Sequence, residues 1–330
     1  MMIDRIHFGI VGGDQRQTAL ADSIAGDGFT VYACGFDNAV FDRDVRKADL
    51  KTTAAACDVL LLPLPVTIDG KTLKAVYAAS PIPLDEDFAA LLAGRQVFGG
   101  MVDRAEAVCP ALCERHLRDY YAREEFALRN AAVTAEGALE YAMHEYPGTL
   151  CGSRCLVAGF GRIGSQLAPR LRALGASVTV AARRPEVQAA AEMCGCAAMH
   201  TDRLREGGDF DIVFNTVPSV IFTRGVLSGL RRGTLLIDLS SAPGGVDMDA
   251  AQKLGIHALH AFSLPAKVAP RTAGEIIKQT VYNAEGVREH ADKNIGIRHV
   301  RFLLYACACD GTDAAARRGG LPHPSHYERN

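Results

Sequence analysis

A glycine-rich run between an apolar segment and a helical pattern constrains the fold of this chain more than any other feature. The run is Gly159-Phe160-Gly161-Arg162-Ile163-Gly164, and Cys155-Leu156-Val157-Ala158 precedes it. In this spacing the first glycine allows a tight turn, the second lets the backbone approach a diphosphate, and the third lets the helix pack closely on the sheet. The pattern therefore predicts a strand, a turn and a helix that bind a dinucleotide.

Two observations leave an alternative to this interpretation. Glycine turns also occur in α/β proteins that bind no nucleotide. In addition, Pro169 falls inside the predicted helix, where it removes one hydrogen bond and favours a kink.

The end of the next predicted strand bears on which dinucleotide is bound. After Ser177-Val178-Thr179-Val180-Ala181-Ala182 the chain continues as Arg183-Arg184-Pro185, where an NAD site would offer a carboxylate to the ribose 2′-hydroxyl. Two guanidinium groups can form forked pairs with a 2′-phosphate, so the predicted cofactor is NADP. The alternative is that both arginines are solvated surface residues.

Length and charge set the broad class of the protein. A chain of 330 residues with 48% hydrophobic composition is long enough for two domains. Its 36 basic and 38 acidic residues nearly balance, and it has no long basic run, which argues against a nucleic-acid role. The N-terminus lacks a signal-peptide pattern and no apolar run reaches membrane-spanning length. We therefore expect a cytoplasmic protein that does not contact a membrane.

The cysteines predict neither a metal site nor a disulfide framework. There are ten of them, without a Cys-x-x-Cys pair. The Cys194-x-Cys196 and Cys307-x-Cys309 spacings are too tight for a usual zinc site. We expect reduced structural thiols and no bound metal.

The N-terminal part contains a second strand, turn and helix pattern. Ile6-His7-Phe8-Gly9-Ile10-Val11 runs into Gly12-Gly13-Asp14-Gln15-Arg16-Gln17. This turn lacks the third glycine, and Asp14 stands where a phosphate would come, so we do not predict a second cofactor site. Further alternation of strands and helices predicts a parallel sheet for this half of the chain.

A helix that opens at Thr134 and ends near Pro147-Gly148 is predicted to connect the two domains. Its start would lie at the cleft between them. On that basis Thr134 and Glu136 are candidate catalytic residues.

Small polar residues follow two predicted strands of the second domain. One loop is Asn215-Thr216-Val217-Pro218, and the other begins with Asp238-Leu239-Ser240. Because ligands bind at the carboxyl ends of parallel strands, we expect both loops to face the nicotinamide half of the cofactor. The alternative is that they are plain turns, which use the same residue types.

A proline-rich segment after the last predicted strand carries the remaining candidates. We expect a stiff loop that presents Lys267 and Arg271 to a substrate carboxylate, although both could be solvated surface charges. His260, near the strand end, is a candidate acid or base with a structural role as the alternative. Thr272 is predicted to cap a helix that returns to the first domain.

The predicted fold class is α/β, with two Rossmann-like domains that have parallel sheets. A connecting helix and a returning C-terminal helix join them. The predicted segments are a first, substrate- or partner-binding domain (1–130), the connecting helix (131–148), an NADP-binding Rossmann domain (149–271), the returning helix (272–294) and a loosely ordered tail (295–330).

Taken together, these motifs resemble one family, the A subunits of dipicolinate synthases. The resemblance covers roughly residues 5 to 290, and the nucleotide domain alone also resembles D-isomer-specific 2-hydroxy acid dehydrogenases. The motifs that carry it are Gly12-Gly13-Asp14-x-Arg16-Gln17, Thr134-Ala135-Glu136-Gly137, Gly159-Phe160-Gly161-Arg162, Asn215-Thr216-Val217-Pro218, Asp238-Leu239-Ser240-Ser241-x-Pro243-Gly244-Gly245 and Leu264-Pro265-x-Lys267-Val268-Ala269-Pro270-x-Thr272-Ala273-Gly274. The departures are Ser263 and Ala266, where glycines are expected, and the C-terminal extension.

The resemblance implies a function that the residues alone do not define. It implies an NADP-dependent enzyme of sporulation that oxidises dihydrodipicolinate to dipicolinate in the mother-cell cytoplasm. It also implies a partner, the flavoprotein-like B subunit of dipicolinate synthase, and leaves a homo-oligomer open. Two alternatives remain: another two-domain NAD(P)-dependent dehydrogenase of 2-hydroxy or 2-amino acids, and a non-catalytic NADP-binding subunit.

Overall fold

Two six-stranded sheets, one in each half of the chain, organise the protein. The computed structural model describes residues 6–285. The strands of the first sheet are β1 (His7–Val11), β2 (Thr30–Cys34), β3 (Val45–Lys47), β4 (Val59–Leu61), β5 (Gln96–Gly99) and β6 (Arg118–Asp119). The strands of the second sheet are β7 (Arg154–Ala158), β8 (Ser177–Ala181), β9 (Ala197–Met199), β10 (Ile212–Asn215), β11 (Leu235–Asp238) and β12 (His257–His260).

Both sheets have the same strand order. The first runs β3-β2-β1-β4-β5-β6 and the second β12-β11-β10-β7-β8-β9, and every pairing is parallel. Counted within each domain, this is the order 3-2-1-4-5-6 of the doubly wound fold. The predicted fold class, two Rossmann-like α/β domains, is confirmed. In each sheet the order reverses beside the first strand, so each domain has one switch point, next to β1 and next to β7 respectively.

Helices cover both faces of the sheets. They are α1 (Gln15–Gly26), α2 (Leu50–Ala56), α3 (Glu86–Leu91), α4 (Asp103–Val108), α5 (Glu124–Glu145), α6 (Arg162–Ala173), α7 (Pro185–Met193), α8 (Arg224–Leu227), α9 (Met248–Leu254), α10 (Leu264–Val268) and α11 (Pro270–Glu285), with 3₁₀ turns at Pro110–Arg115 and Thr201–Glu206. The central strands β4, β10 and β11 are buried throughout, as expected for strands covered on both sides.

The connecting helix α5 is longer than predicted and starts earlier. It spans 22 residues from Glu124, and Thr134 lies in its middle, where the hydroxyl donates to the Asn130 carbonyl instead of capping a helix start. Glu124 and Glu125 occupy the first turn, where negatively charged side chains interact favourably with the positive end of the helix dipole and stabilise the helix. The sequence predicted that the helix opens at Thr134, whereas the structure includes the charged residues from Glu124 onwards in the helix.

Helix α11 packs back on the first domain, as predicted. Ile276, Ile277, Val281 and Tyr282 belong to the same hydrophobic core as Phe8 of β1. Its start differs from the prediction: α11 begins at Pro270, before Thr272, because a proline in the first turn loses no hydrogen bond there. Residues 286–330, which include the predicted tail and the end of the returning helix, lie outside the described residues.

The segment before α11 also differs from the prediction. Leu264–Val268, expected to be a stiff loop, forms the short helix α10, with a proline in its first turn. Leu264 is buried in the core of the second domain, and the chain packs there against Gly137 of α5, where an added Cβ would lie 3.0 Å from Leu264 and Val268 side-chain atoms.

Candidate active site

A cleft of about 830 Å³ is lined by residues of both domains. The first domain contributes the segments that follow β5 and β6. One face of α5 contributes Ala127, Ala131 and Thr134, and the second domain contributes the loops after β7, β10 and β11. The cleft thus meets the carboxyl ends of the strands beside the second domain's switch point, where doubly wound proteins bind their ligands.

The glycine turn after β7 has the geometry that a dinucleotide site needs. Gly159 has a φ of +92°, a conformation that favours glycine, and a Cβ there would overlap Thr216. At Gly164 an added Cβ would overlap the carbonyl oxygen of Gly159, so helix and turn are in close contact. Gly161 is different: an added Cβ would meet no protein atom within 4 Å, and this glycine lines the cleft. The open space beside Gly161 fits a diphosphate close to the backbone at the start of α6.

Arg162, the first residue of α6, forms an ion pair with Glu124 of α5, and both residues line the cleft. Its Nε and Nη2 donate to the two carboxylate oxygens of Glu124 at 2.9 and 2.6 Å. The pair lowers the pKa of Glu124 and raises that of Arg162. Both side chains are more than half exposed, so this link between α5 and α6 is a surface pair of modest strength. Ile163, the next residue of the predicted run, also lines the cleft, whereas Phe160 is half-buried and packs against the second domain's core.

Of the residues after β10 and β11 that were predicted to face the cofactor, some line the cleft and others hold the loops in place. Thr216, Val217 and Pro218 line it. Asn215 is fully buried: its Nδ2 donates to Asp238 Oδ1 at 2.8 Å and its Oδ1 accepts from the Val217 N–H at 3.1 Å. It therefore positions the loop and does not face the cleft.

Asp238 is the centre of this buried network. Besides Asn215, its carboxylate accepts from the Ser240 N–H at 3.1 Å, the Ser240 hydroxyl at 2.7 Å and the Gly245 N–H at 2.8 Å. The loop after β11 is held in place by these bonds, and Ser241, one residue beyond Ser240, is the serine that lines the cleft.

His260 lies against the same carboxylate. Its Nδ1 is 3.3 Å from Asp238 Oδ2, and its ring stacks on Phe262 with centroids 4.7 Å apart. It is not among the residues that line the cleft. This placement suits the structural alternative for His260 and does not support a role as acid or base.

The predicted 2′-phosphate residues lie at the end of β8. Arg183 and Arg184 are exposed, and Arg184 pairs with Glu186 at 3.4 Å. Such an exposed pair is weak and can rearrange at little cost. Both arginines can therefore bind a phosphate group. Their role in selecting NADP remains a prediction.

The other sequence candidates are spread over the molecule. Thr134 lines the cleft, whereas Glu136 is exposed and does not. Lys267 lies on α10, with its Nζ 3.4 Å from the Tyr141 hydroxyl. Arg271 is 90% exposed and lies 3.7 Å from Asp42 of the first domain. Neither cation lines the cleft, so their placement gives no support to a role in binding substrate carboxylates.

The glycine turn after β1 is filled by the protein itself. The Asp14 carboxylate caps α1 and pairs with Arg16 at 2.8 Å and Lys74 at 2.5 Å, and both cations also donate to the Leu64 carbonyl. Burial alone would raise the pKa of Asp14, but Arg16 and Lys74 outweigh it and hold that pKa well below its ordinary range. A carboxylate thus occupies the switch point of the first sheet where a phosphate would bind, in keeping with the prediction that this turn is not a second cofactor site.

Several cleft residues were not identified from sequence. They are Met101, Asp103, Arg104, Asp119, Tyr121 and Asn130. For Asn130 a signal exists once α5 is known to begin at Glu124, because Glu124, Ala127, Asn130, Ala131 and Thr134 follow helical spacing. For the others, the loops after β5 and β6 had no recognisable motif.

The described part of the chain offers neither a metal cluster nor a membrane span. Within residues 6–285, no group of three or more His, Cys, Asp or Glu side chains is arranged to hold a metal ion. The helices of this part are all too short or too polar to span a bilayer.

Comparison with known proteins shows which families the two domains match. Residues 7–119 match the family model of the N-terminal domain of the dipicolinate synthase A subunit, and residues 122–243 match the NAD-binding domain of D-isomer-specific 2-hydroxyacid dehydrogenases. The A subunit of dipicolinate synthase from Bacillus subtilis is 33% identical over 280 residues, which cover 84% of this chain and 94% of that protein.

Solved structures agree with the sequence matches. The dipicolinate synthase A subunit from Bacillus subtilis superposes with a TM-score of 0.76 at 31% identity, covering 88% of this chain and 98% of that one. The same subunit from Bacillus halodurans gives 0.75 at 28% identity, covering 84% and 97%.

The fold and the cleft define a protein of the two-domain dehydrogenase type, with a dinucleotide-binding second domain. The first domain is what separates it from other members of that type, because it matches one specific family. The chain belongs to the family of dipicolinate synthase A subunits. The resemblance inferred from the motifs is confirmed.

Proposed function

We propose that the protein oxidises dihydrodipicolinate to dipicolinate with NADP as hydride acceptor, as the A subunit of a two-subunit synthase in sporulation. The observation that carries this proposal is the shared cleft, which combines a family-specific first domain with the glycine turn of a dinucleotide-binding domain. By the same resemblance, we place the reaction in the mother-cell cytoplasm.

The reaction asks for positioning more than for strong acid–base groups. Loss of one hydride and one proton converts the dihydropyridine ring to an aromatic pyridine. When bound, NADP supplies the hydride acceptor. The protein has to hold a flat ring in the cleft and keep water out. The cleft residues available for this on the side of the second domain are Thr216, Val217, Pro218 and Ser241.

Oxidation of a 2-hydroxy acid has less support in the same geometry. That reaction needs a base beside the carbon that loses hydride. His260, the sequence candidate, contacts Asp238 and lies outside the cleft lining. Steady-state assays with NADP, a substrate panel and the partner subunit test the choice. Turnover of 2-hydroxy or 2-amino acids without turnover of dihydrodipicolinate would contradict the proposal.

For the cofactor, we expect Arg183→Ala and Arg184→Ala to weaken NADP binding far more than NAD binding. Each charged hydrogen bond to a phosphate contributes about 1.5–3 kcal/mol, so the Kd for NADP should rise about 10- to 100-fold. Titration of each variant with both cofactors measures the effect. Arg203→Ala, which removes an exposed arginine paired with Glu206 in the same domain, is the control. Equal losses for NADP and NAD would assign the two arginines to structure.

For the partner, we expect a stable complex with the flavoprotein-like B subunit of the synthase when the two chains are co-expressed. The name of the Bacillus subtilis relative, which designates it the A subunit, implies a second subunit in that protein. Size-exclusion chromatography with light scattering should show a joint species, and dipicolinate formation should require both chains. Elution of this chain alone, together with full activity unaided, would contradict a two-subunit enzyme.

A further inference from the structure

The first domain's side of the cleft is built around one carboxylate. Asp119, at the end of β6, accepts from four backbone N–H groups: Met101 at 3.3 Å, Val102 at 3.4 Å, Tyr121 at 2.7 Å and Ala122 at 3.3 Å. These bonds tie the segment after β5 to the segment after β6. The two segments therefore form one preorganised wall, and the carboxylate of Asp119 is occupied by backbone groups.

The backbone conformation of Met101 indicates that this wall is held in a fixed conformation. It has a φ of +58°, in the left-handed region that a non-glycine residue adopts at a cost, and it lines the cleft. Strain of this kind persists where surrounding contacts fix the backbone, and it concentrates at ligand sites. Met101 lies just before α4, the helix that carries Arg104.

Arg104 is a cation that lines the cleft and has no hydrogen-bonding or charged partner among the described residues. Asp119 is used by backbone N–H groups, and Glu124 and Arg162 are used by each other. Arg104 and Asp103 make no hydrogen bond or ion pair with any residue between 6 and 285. As consecutive helix residues they do not face each other. Arg104 thus offers a complete guanidinium fork to an anion in the cleft.

The face of α5 in the cleft complements this cation. Ala127 and Ala131 are small and leave room for a flat ring, and Asn130 lies on the same face. Its side-chain amide makes no hydrogen bond within the described part of the chain, so it can donate to a ligand oxygen.

From this arrangement we propose that Arg104 binds a carboxylate of the dicarboxylate substrate and that Asn130 donates a hydrogen bond to the same ligand. The proposal rests on the proposed function and adds the residues that select a planar ring with two carboxylates. A forked guanidinium pair suits a carboxylate because both partners are planar. Lys267 and Arg271, the cations predicted from sequence, lie outside the cleft lining, whereas Arg104 lines it.

The test uses the full chain in complex with its partner subunit, and the product dipicolinate as probe. Isothermal titration of Arg104→Gln should show a Kd for dipicolinate raised about 10- to 100-fold, with partial recovery in Arg104→Lys, which keeps the charge and loses the fork. The Kd for NADP should stay unchanged. The preference of the wild-type protein for dipicolinate over the monocarboxylate picolinate should shrink in Arg104→Gln. Asn130→Ala should weaken dipicolinate binding by a smaller factor.

Arg43→Gln is the matched control, because Arg43 is exposed in the same domain, lies outside the cleft lining and has no side-chain partner within the described residues. It should bind dipicolinate as the wild type does. Unchanged dipicolinate binding by Arg104→Gln, in a protein whose wild type binds dipicolinate and reduces NADP, would overturn this proposal and leave the proposed function standing. A wild type that neither binds dipicolinate nor reduces NADP would overturn both.

Discussion

Alanine at position 238 should lower the free energy of unfolding by about 3–5 kcal/mol, because it leaves several buried donors without an acceptor. Asp238 is fully buried and accepts from Asn215, from two groups of Ser240 and from Gly245. Urea unfolding followed by far-ultraviolet circular dichroism measures the change, since the chain has no tryptophan to report on unfolding.

Asp247→Ala is the control for this prediction. Asp247 caps α9 through one hydrogen bond to the Ala250 N–H at 2.9 Å, and loss of such a cap costs about 1 kcal/mol. If the two variants lost equal stability, Asp238 would not be the centre of the network that holds the loop beside the cleft.

Alanine at position 161 should weaken NADP binding at least about tenfold, or about 1.4 kcal/mol, and lower the free energy of unfolding by no more than about 1 kcal/mol, the cost of alanine at the N-cap of α6. Gly161 has a φ of −83°, which alanine adopts freely, and an added Cβ meets no protein atom within 4 Å. The new methyl group would instead project into the space where a diphosphate approaches the backbone. Fluorescence titration with NADPH and a urea midpoint for the same variant test both halves of the prediction.

For Gly164→Ala we expect the opposite result, in which the protein is destabilised in the absence of NADP. A Cβ at this position would overlap the carbonyl oxygen of Gly159, so this variant should lose stability before any ligand is added. Wild-type NADP affinity in Gly161→Ala would show that the dinucleotide does not lie against this turn.

Local patterns were sufficient to predict the fold and the dinucleotide turn. The third glycine of the run was predicted to let the helix pack closely on the sheet, and an added Cβ at Gly164 would lie 3.5 Å from a side-chain atom of Val157 in β7 as well as overlapping the Gly159 carbonyl. Alternating strands and helices predicted two parallel sheets, because a parallel connection requires a crossover helix. Asp14 was the reason that the sequence predicted no second cofactor site in the N-terminal turn, and in the structure its carboxylate pairs with Arg16 and Lys74.

The cleft could be predicted only in part, because its residues meet through tertiary structure. Arg104 and Asn130 come from different segments and share no motif, so nothing in the order of residues places them in the same cleft. Asn215 and Asp238 were expected to face the cofactor. They are buried and bonded to each other, because polar residues at strand ends can equally support the backbone of the neighbouring loop.

The direct test of the central claim is hydride transfer in a single turnover. The complex of this chain with its partner subunit, saturated with NADP, is mixed rapidly with dihydrodipicolinate while the absorbance band of reduced nicotinamide is followed. We predict that about one NADPH appears per active site in the first turnover, with dipicolinate formed in equal amount. Bound NADP that is never reduced, with or without the partner, would contradict the account and define a nucleotide-binding protein without catalytic activity.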